Sequence, residues 1–585
     1  MRRELPLVSG VLLLAAGLVL ALYELLGQPP LVGVDDANIF LTYARNLLAG
    51  EGFVYSAGGE RVEGFTSLLW VLCCAAALAL SSQPERLLLG LNLLFAAAAV
   101  GAVASFLLRE CAGEPAPGAR ARAGASLLLV LGWAFGAPSF LVWTTLSLMD
   151  TGLFCAVLTL GTLSAARAAG AAARGGPRRA PGVALWVALV LLARPEGLAV
   201  GLLWVAALGL ASGLAAKSAR SAWRSARAPA LAWLLVAGAL LVFRLAYFGY
   251  PLPNTFYAKV SPSLAYNLAQ GLQYLGSFAM AQPLALAALG AALGTLAQSL
   301  ARLAAAPGPE ASAGAAEPRA RAAELLVISG TALLGAALPV VEGGDHFVLF
   351  RAYQPVWPLL ALPALSYAPR LLAGLGRGRG GGALAGGLVA GALGALLLAN
   401  RPLWPQIREV ERLKNEFALA QSGRTLGALL NRIQGGRPAA SLGVTVTGGI
   451  GLTYRGPVVD LMGLNSVAMG HSPGERRGLK NHAAFHPEVF YELAPDLVFP
   501  DGTLGLDATP LARTLRPTSF ENRVLGGLVG SPRFQESYLP VLLGRGELAR
   551  PDQLNVAAWC RRAALAKLRE SGAGVVVIDA RALGR

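Results

Sequence analysis

Two adjacent carboxylates, Asp35 and Asp36, follow an apolar stretch and open the segment Val34-Asp35-Asp36-Ala37-Asn38-Ile39-Phe40-Leu41-Thr42-Tyr43-Ala44-Arg45-Asn46-Leu47. One acid in this position could cap a helix, but a second beside it adds only repulsion. The pair suits proton abstraction from a hydroxyl. One carboxylate would act as general base, and the other would orient it or help to hold a divalent cation. Phe40, Tyr43 and Leu47 fall on one face of a short helix that would lie along a membrane interface. Further on, Gly58-Gly59 marks a turn, Glu63 precedes a new apolar segment that it could cap, and Trp70 reads as an interfacial anchor.

Other polar residues stand out against apolar surroundings. Asp150 interrupts Trp143-Thr144-Thr145-Leu146-Ser147-Leu148-Met149, and a carboxylate there needs a cavity or a partner. Arg194-Pro195-Glu196-Gly197 splits a long apolar run. It reads either as a turn with an Arg–Glu pair or as a turn that offers Arg194 to a lipid phosphate. Phe248-Gly249-Tyr250-Pro251-Leu252-Pro253-Asn254-Thr255-Phe256-Tyr257-Ala258-Lys259 combines stiffening prolines with hydroxyl and amide groups from its tyrosines and Asn254. Its one cation, Lys259, suits a phosphate contact or a snorkelling role. Glu342-Gly343-Gly344-Asp345-His346-Phe347 with Arg351 places an acid, a histidine and an arginine together, and Asp345 and Arg351 could simply pair.

The rest of the chain must position these groups. It has 585 residues, is 55% hydrophobic and only 14% charged, and carries a formal net charge of +16. A soluble domain averages about 25% charged residues, so soluble, disordered and collagen-like classes are excluded and a polytopic helical membrane protein is expected. Basic loops facing anionic lipid account for the positive charge without nucleic acid. The five cysteines form no CxxC or His/Cys cluster, so neither a disulfide framework nor a zinc site is indicated. Leu7 to Leu25 reads as a retained span rather than a cleaved signal.

Apolar segments lie near 7–26, 66–82, 87–108, 124–137, 140–165, 182–194, 196–212, 229–247, 273–300, 324–341, 353–370 and 383–400. Basic connections at 166–181, 213–228 and 370–382 are cytoplasmic by the positive-inside rule, and Arg2 and Arg3 agree. The opposite, extracytoplasmic face then holds 31–65, 248–272, 342–352 and everything after 400. Cytoplasmic start and external end require an odd number of spans. Either 66–82 or 124–137 therefore fails to cross, and about 11 spans are expected. Residues 1–400 form the membrane part, with 31–65 as its first external loop.

Residues 401–585 read as a separate α/β domain. Strands are expected at Gly443–Thr447, Val458–Leu461, Asp496–Phe499 and Gly574–Ile578, and helices at Ile407–Leu419 and Ala557–Glu570. Thr447-Gly448-Gly449-Ile450-Gly451 lacks the full GxGxxG pattern and reads as a plain turn.

Taken together, acids, cations and aromatics from distant loops fall on one membrane face. That inventory fits a lipid phosphate held by Arg194, Lys259 and Arg351 beside a hydroxyl activated by carboxylates. Nucleotide sugars are absent outside the membrane, so a membrane-embedded polyprenyl-phosphate sugar is the expected donor, its phosphate the leaving group.

The motifs Asp-Asp-Ala with Tyr-Ala-Arg-Asn-Leu, Gly-x-Val-Tyr and Val-Glu-Gly-Phe-Thr-Ser-x-Leu-Trp resemble bacterial GT-C-type glycosyltransferases. More closely, they resemble the terminal arabinofuranosyltransferase-like group. Ala193–Gly197, Leu252–Lys259, Gly343–Phe347 with Arg351, Val459–Asn465 and Pro495–Val498 continue the likeness in order along most of the chain. The resemblance implies a GT-C fold and a decaprenyl-phosphate-arabinose type of donor. It implies an acceptor hydroxyl on an envelope glycan, glycolipid or protein, and a bacterial inner-membrane location.

The catalytic acid of such enzymes maps onto Asp35 or Asp36. Glu63, Asp150, Arg194, Glu196, Asn254, Tyr257, Lys259, Asp345, His346 and Arg351 would then contact substrate. A divalent cation, Mg or Mn, is admissible at Asp36, although some GT-C enzymes do without one. Asp150 stands where a glutamate is expected and Asn465 where an aspartate is more usual, which leaves sugar and acceptor open. The rivals are a transporter or flippase for lipid-linked glycans, which calls for a repeat that the sequence lacks, and a non-catalytic assembly protein.

Overall fold

The computed structural model describes residues 5–112, 119–175, 180–305, 316–367, 403–436, 439–500, 509–545 and 556–579. The chain divides into two compact units. The first comprises Met1–Gln28, Leu89–Leu240 and Ala265–Glu411, and the second Pro29–Leu88, Leu241–Leu264 and Arg412–Arg585.

The described residues are mostly helical. Seven helices are long and apolar enough to cross a bilayer: Pro6–Leu25, Pro84–Arg109, Thr151–Ala173, Gly197–Leu214, Ala219–Tyr247, Pro283–Ala304 and Ala316–Val341. An eighth span results if Ala123–Phe135 and Pro138–Leu146, bent by 69°, are counted together. The apolar segment at 66–82 forms the shorter helix Leu68–Leu80, and that at 182–194 forms Gly182–Ala193. Residues 273–300, expected as one segment, break at Gln282, where Pro283 lacks an N–H and starts a new helix. Within 353–370 lie the short helices Trp357–Leu360 and Leu362–Leu365. The segment expected at 383–400 and the basic connection at 370–382 lie outside the described residues.

The first unit is built around Thr151–Ala173. Its Gly, Ala and Thr residues let neighbouring helices approach closely, and it packs on Ala180–Ala193, Gly197–Ala216 and Ala316–Val341. Gly161 shows the fit, because a Cβ there would overlap the Trp204 ring. Trp204 Nε1 in turn donates to Thr331 Oγ1 at 3.1 Å.

The second unit holds a six-stranded mixed sheet: β1 (Leu442–Val444), β2 (Val458–Asp460), β3 (Leu497–Phe499), β4 (Tyr538–Arg545), β5 (Val556–Arg561) and β6 (Ala573–Val577). The order is β2-β1-β3-β5-β4-β6. The β2, β1 and β3 strands run parallel, and the remaining pairings are antiparallel. Both faces are covered. Val556, Ala558 and Cys560 pack into one core with Leu426, Leu430 and Ile450, while Ala557 and Trp559 point into another with Phe490 and Phe534. This period of two corrects the expected helix over Ala557–Glu570. Its first residues are a doubly buried strand, apolar on both faces and so without alternation, and only Leu565–Glu570 is α-helical.

Candidate active site

The helix Asp35–Leu48 carries the acid pair in its first turn. Ten of its fourteen residues are buried, Phe40 and Tyr43 among them. It is therefore an internal element and not the interfacial helix that its apolar face suggested. Neither acid caps it, because Val34 occupies that position. Side chains lock its ends instead. Asn38 Nδ2 donates to the Val32 and Val34 carbonyls at 3.1 and 3.0 Å, and Asn46 Nδ2 donates to those of Val54 and Tyr55, both at 2.9 Å. The Tyr43 hydroxyl donates to Val62 O at 2.9 Å, accepts from Gly64 N–H at 3.0 Å and lies 3.1 Å from Asn465 Oδ1.

Asp35 is 7% exposed, and its two carboxylate oxygens accept from Gly448 N–H at 2.7 Å and Gly449 N–H at 2.8 Å. The glycine-rich turn thus starts the helix Gly448–Thr453, and its first amides hold a carboxylate from the same chain. Both glycines are required there. A Cβ on Gly448 would overlap the Asp35 carbonyl, and one on Gly449 would overlap that of Ala420. The turn is fastened further by the Tyr55 hydroxyl, which donates to Thr447 O, and by Arg45, which donates to Leu452 O. Burial raises the Asp35 carboxyl to about 6; the Gly449 and Gly448 amides oppose this, and the nearby Asp36 and Asp460 reinforce it.

Asp460, at the end of β2, is fully buried and likewise raised to about 6 by burial. Its oxygens accept from Met462 N–H at 2.8 Å, Asn465 N–H at 2.9 Å and Asn465 Nδ2 at 2.9 Å. Neither Asp460 nor the Gly448-Gly449 clasp stood out in the sequence as a participant. An isolated acid ending an apolar strand was the available signal for Asp460.

Asp36 differs from its neighbour. Its side chain is 23% exposed, and its Oδ2 lies 3.9 Å from Lys259 Nζ, whose side chain is 21% exposed. Lys259 ends the short helix Asn254–Lys259. Asn254 secures that helix by donating from Nδ2 to the carbonyls of Gly463, Leu464 and Ser466 at 2.7, 3.1 and 3.1 Å. Tyr257 is half-buried, and its ring centroid lies 4.1 Å from that of His471, which also packs 4.0 Å from Tyr250. Glu63 forms a two-pronged pair with Arg244, Nε to Oε2 at 2.8 Å and Nη2 to Oε1 at 3.0 Å. Burial raises its carboxyl, and Arg244 partly offsets the rise.

The remaining expected residues belong to the first unit and form a cluster of their own. Asp150 is fully buried, and both its oxygens lie 3.1 Å from Arg194 Nη1, while Arg194 Nε donates to Glu196 Oε1 at 3.0 Å. Both the turn and the ion pair expected at Arg194–Gly197 are present. Arg351 Nε donates to Asp345 Oδ2 at 2.7 Å, and its guanidinium lies 4.3 Å from the Phe347 ring centroid. His346 Nδ1 is 3.4 Å from Asp345 Oδ1. The backbone around this cluster is unusual. Val142–Leu146 is a π-helix, and Leu148, Leu349 and Phe350 all have positive φ, at 55°, 62° and 51°. Such conformations are costly for residues with side chains and persist where the surroundings over-determine them.

Among the described residues no group of three or more His, Cys, Asp or Glu side chains is arranged to hold a metal ion.

No family model matches the chain. A curated protein of Corynebacterium glutamicum, a terminal beta-(1->2)-arabinofuranosyltransferase, is 31% identical over 264 residues. The match covers 42% of this chain and 35% of that protein, so the chain spans about a third of the relative's length in the matched region. The chain is thus distantly similar, over part of its length, to a glycosyltransferase.

Proposed function

We propose that this protein is a GT-C-type membrane glycosyltransferase. It transfers a sugar, arabinofuranose or a related one, from a polyprenyl-phosphate donor to a hydroxyl of an envelope glycan or glycolipid. The reaction takes place on the extracytoplasmic face of the bacterial inner membrane. The observation that carries the reading is the Asp36–Lys259 pair: a partly exposed carboxylate beside an ammonium, on a helix held by side-chain bonds from Asn38, Asn46 and Asp35. The partial likeness to an arabinofuranosyltransferase supports the same reaction class.

In this reading the acid pair supplies the general base, which takes the proton of the acceptor hydroxyl. The acceptor oxygen forms a bond to the anomeric carbon, and the bond from that carbon to the phosphate oxygen breaks. Polyprenyl phosphate leaves with the electron pair, and Lys259 stabilises its charge. Asn254 and Tyr257 order the loop that presents Lys259, and Glu63 braces it through Arg244. Arg194 and Arg351 are each engaged by acids. Their part is to hold Asp150, Glu196 and Asp345, with His346 alongside, as polar groups for sugar hydroxyls. A divalent cation at Asp36 remains part of the proposal, as does the division into a catalytic membrane part, 1–400, and an extracytoplasmic part, 401–585.

The test is transfer by the detergent-purified protein from decaprenyl-phosphate-arabinose to an oligoarabinoside acceptor, followed by mass spectrometry with and without EDTA. A product heavier by one pentose is expected. Mass spectrometry of envelope glycans from a deletion strain provides the second arm. If no residue type is missing there and no pentose is transferred in vitro, the reading is wrong.

A further inference from the structure

We infer that the two adjacent acids divide the work. Asp35 is a positioning residue clasped by the Gly448 and Gly449 amides, and Asp36 is the base that meets the acceptor hydroxyl. This assignment rests on the reading above and sharpens it.

Three observations carry it. First, both oxygens of Asp35 point into the turn, at 2.7 and 2.8 Å from its amides, and the residue is buried. A carboxylate buried and turned into these amides offers no open approach to a substrate hydroxyl. Second, successive helical residues project about 100° apart. Clasping Asp35 therefore fixes the direction of Asp36, which is partly exposed beside Lys259. Third, the clasp is one of several fastenings that oppose rotation of the helix. Arg424 Nε donates to Asn38 Oδ1 at 2.7 Å one turn further on. Tyr43 meets Asn465 two turns further on, and Asn465 is itself held by Asp460. Eight residues separate Asp35 from Tyr43, about 12 Å of helix, so the element is held along its length and not at one point.

The glycines make the idea separable from simple loss of charge. Gly448→Ala leaves both acids intact but places a methyl group against the Asp35 carbonyl. Asp35→Asn keeps the shape but turns one acceptor oxygen into an NH2 facing an amide N–H.

The experiment compares purified wild type, Asp35→Asn, Asp35→Ala, Gly448→Ala and Asp36→Asn in two readouts: kcat and donor KM in the transfer assay, and amide hydrogen exchange of peptides covering residues 445–453. Asp35→Asn and Gly448→Ala should lose kcat about tenfold, the equivalent of one charge-assisted hydrogen bond, with donor KM unchanged. Both should exchange faster at 445–453. Asp35→Ala should lose more than Asp35→Asn in both readouts. Asp36→Asn should lose transfer by about a thousandfold with exchange at 445–453 as in wild type. The assignment is overturned if Asp35→Asn is as inactive as Asp36→Asn while its exchange is unchanged, or if Asp36→Asn retains transfer. A wild type that transfers nothing overturns the underlying reaction instead, and the exchange data then decide the clasp alone. If Asp35→Ala does not fold, Asp35→Asn and Gly448→Ala still decide the question.

Discussion

The two units solve the same problem, a buried acid, in different ways. In the first unit Asp150 and Asp345 are answered by guanidinium groups, Arg194 and Arg351. In the second, Asp35 and Asp460 are answered by backbone amides, two from a glycine turn and two from the bend after β2. A guanidinium on a long side chain tolerates small shifts of the chain that carries it. An amide cannot move without its backbone, so an acid held by amides reports the position of a whole segment. The first sets an opposite charge against the acid. The second fixes geometry, and burial, which the amide dipoles only partly offset, raises both of its carboxyls to about 6.

The sharpest way to break this contrast is at Asp36. Asp36→Asn should reduce transfer about a thousandfold with no change in thermal unfolding in detergent; equal losses of activity and stability would make Asp36 as structural as its neighbour. Next comes Arg194→Ala, which strands Asp150 and Glu196. Removing one partner of a buried pair costs about 3–5 kcal/mol, read as a lower unfolding temperature, and Arg194→Lys should recover part of it. A smaller effect separates the amide-held acids by pH. The Asp460 carboxyl is raised from an ordinary 3.8 to about 6, so the fold favours its protonated form. Its contribution to stability is full below about pH 4 and is lost as pH rises through 6. Asp460→Asn cannot titrate, so its stability relative to wild type should improve between pH 4 and 7 by on the order of 2 kcal/mol. A variant that instead loses stability relative to wild type over that range would contradict the burial. The smallest effect is expected from Lys259→Ala: about a tenfold fall in kcat, one charge-assisted hydrogen bond to the leaving phosphate, with folding unchanged.

Much of the helical membrane part was legible because continuous apolar runs carry their own signal, as at Pro84–Arg109 and Gly197–Leu214. The break marked by charges at Arg194–Gly197 was legible too, but that at Gln282-Pro283 was not, because it divides a stretch whose hydrophobicity hardly changes. The parallel strands were legible from short apolar runs between turn residues. The β5 strand was not, because burial on both faces removes the alternation that distinguishes strand from helix. Asp35 and Asp36 were visible as a pair, yet nothing local could tell them apart. What distinguishes them is Gly448 and Lys259, far away in sequence. For the same reason Glu63 was legible as an acid at a boundary, while its partner Arg244 lay unremarked near the end of an apolar helix.

The clasp joins residues 413 positions apart. At a synthesis rate of about 5–20 residues per second, the ribosome completes the glycine turn about 20–80 s after Asp35 has been made. For that interval Asp35 lacks the two amides that hold it in the folded protein. The clasp can therefore close only late in synthesis, long after the loop that carries Asp35 has been made.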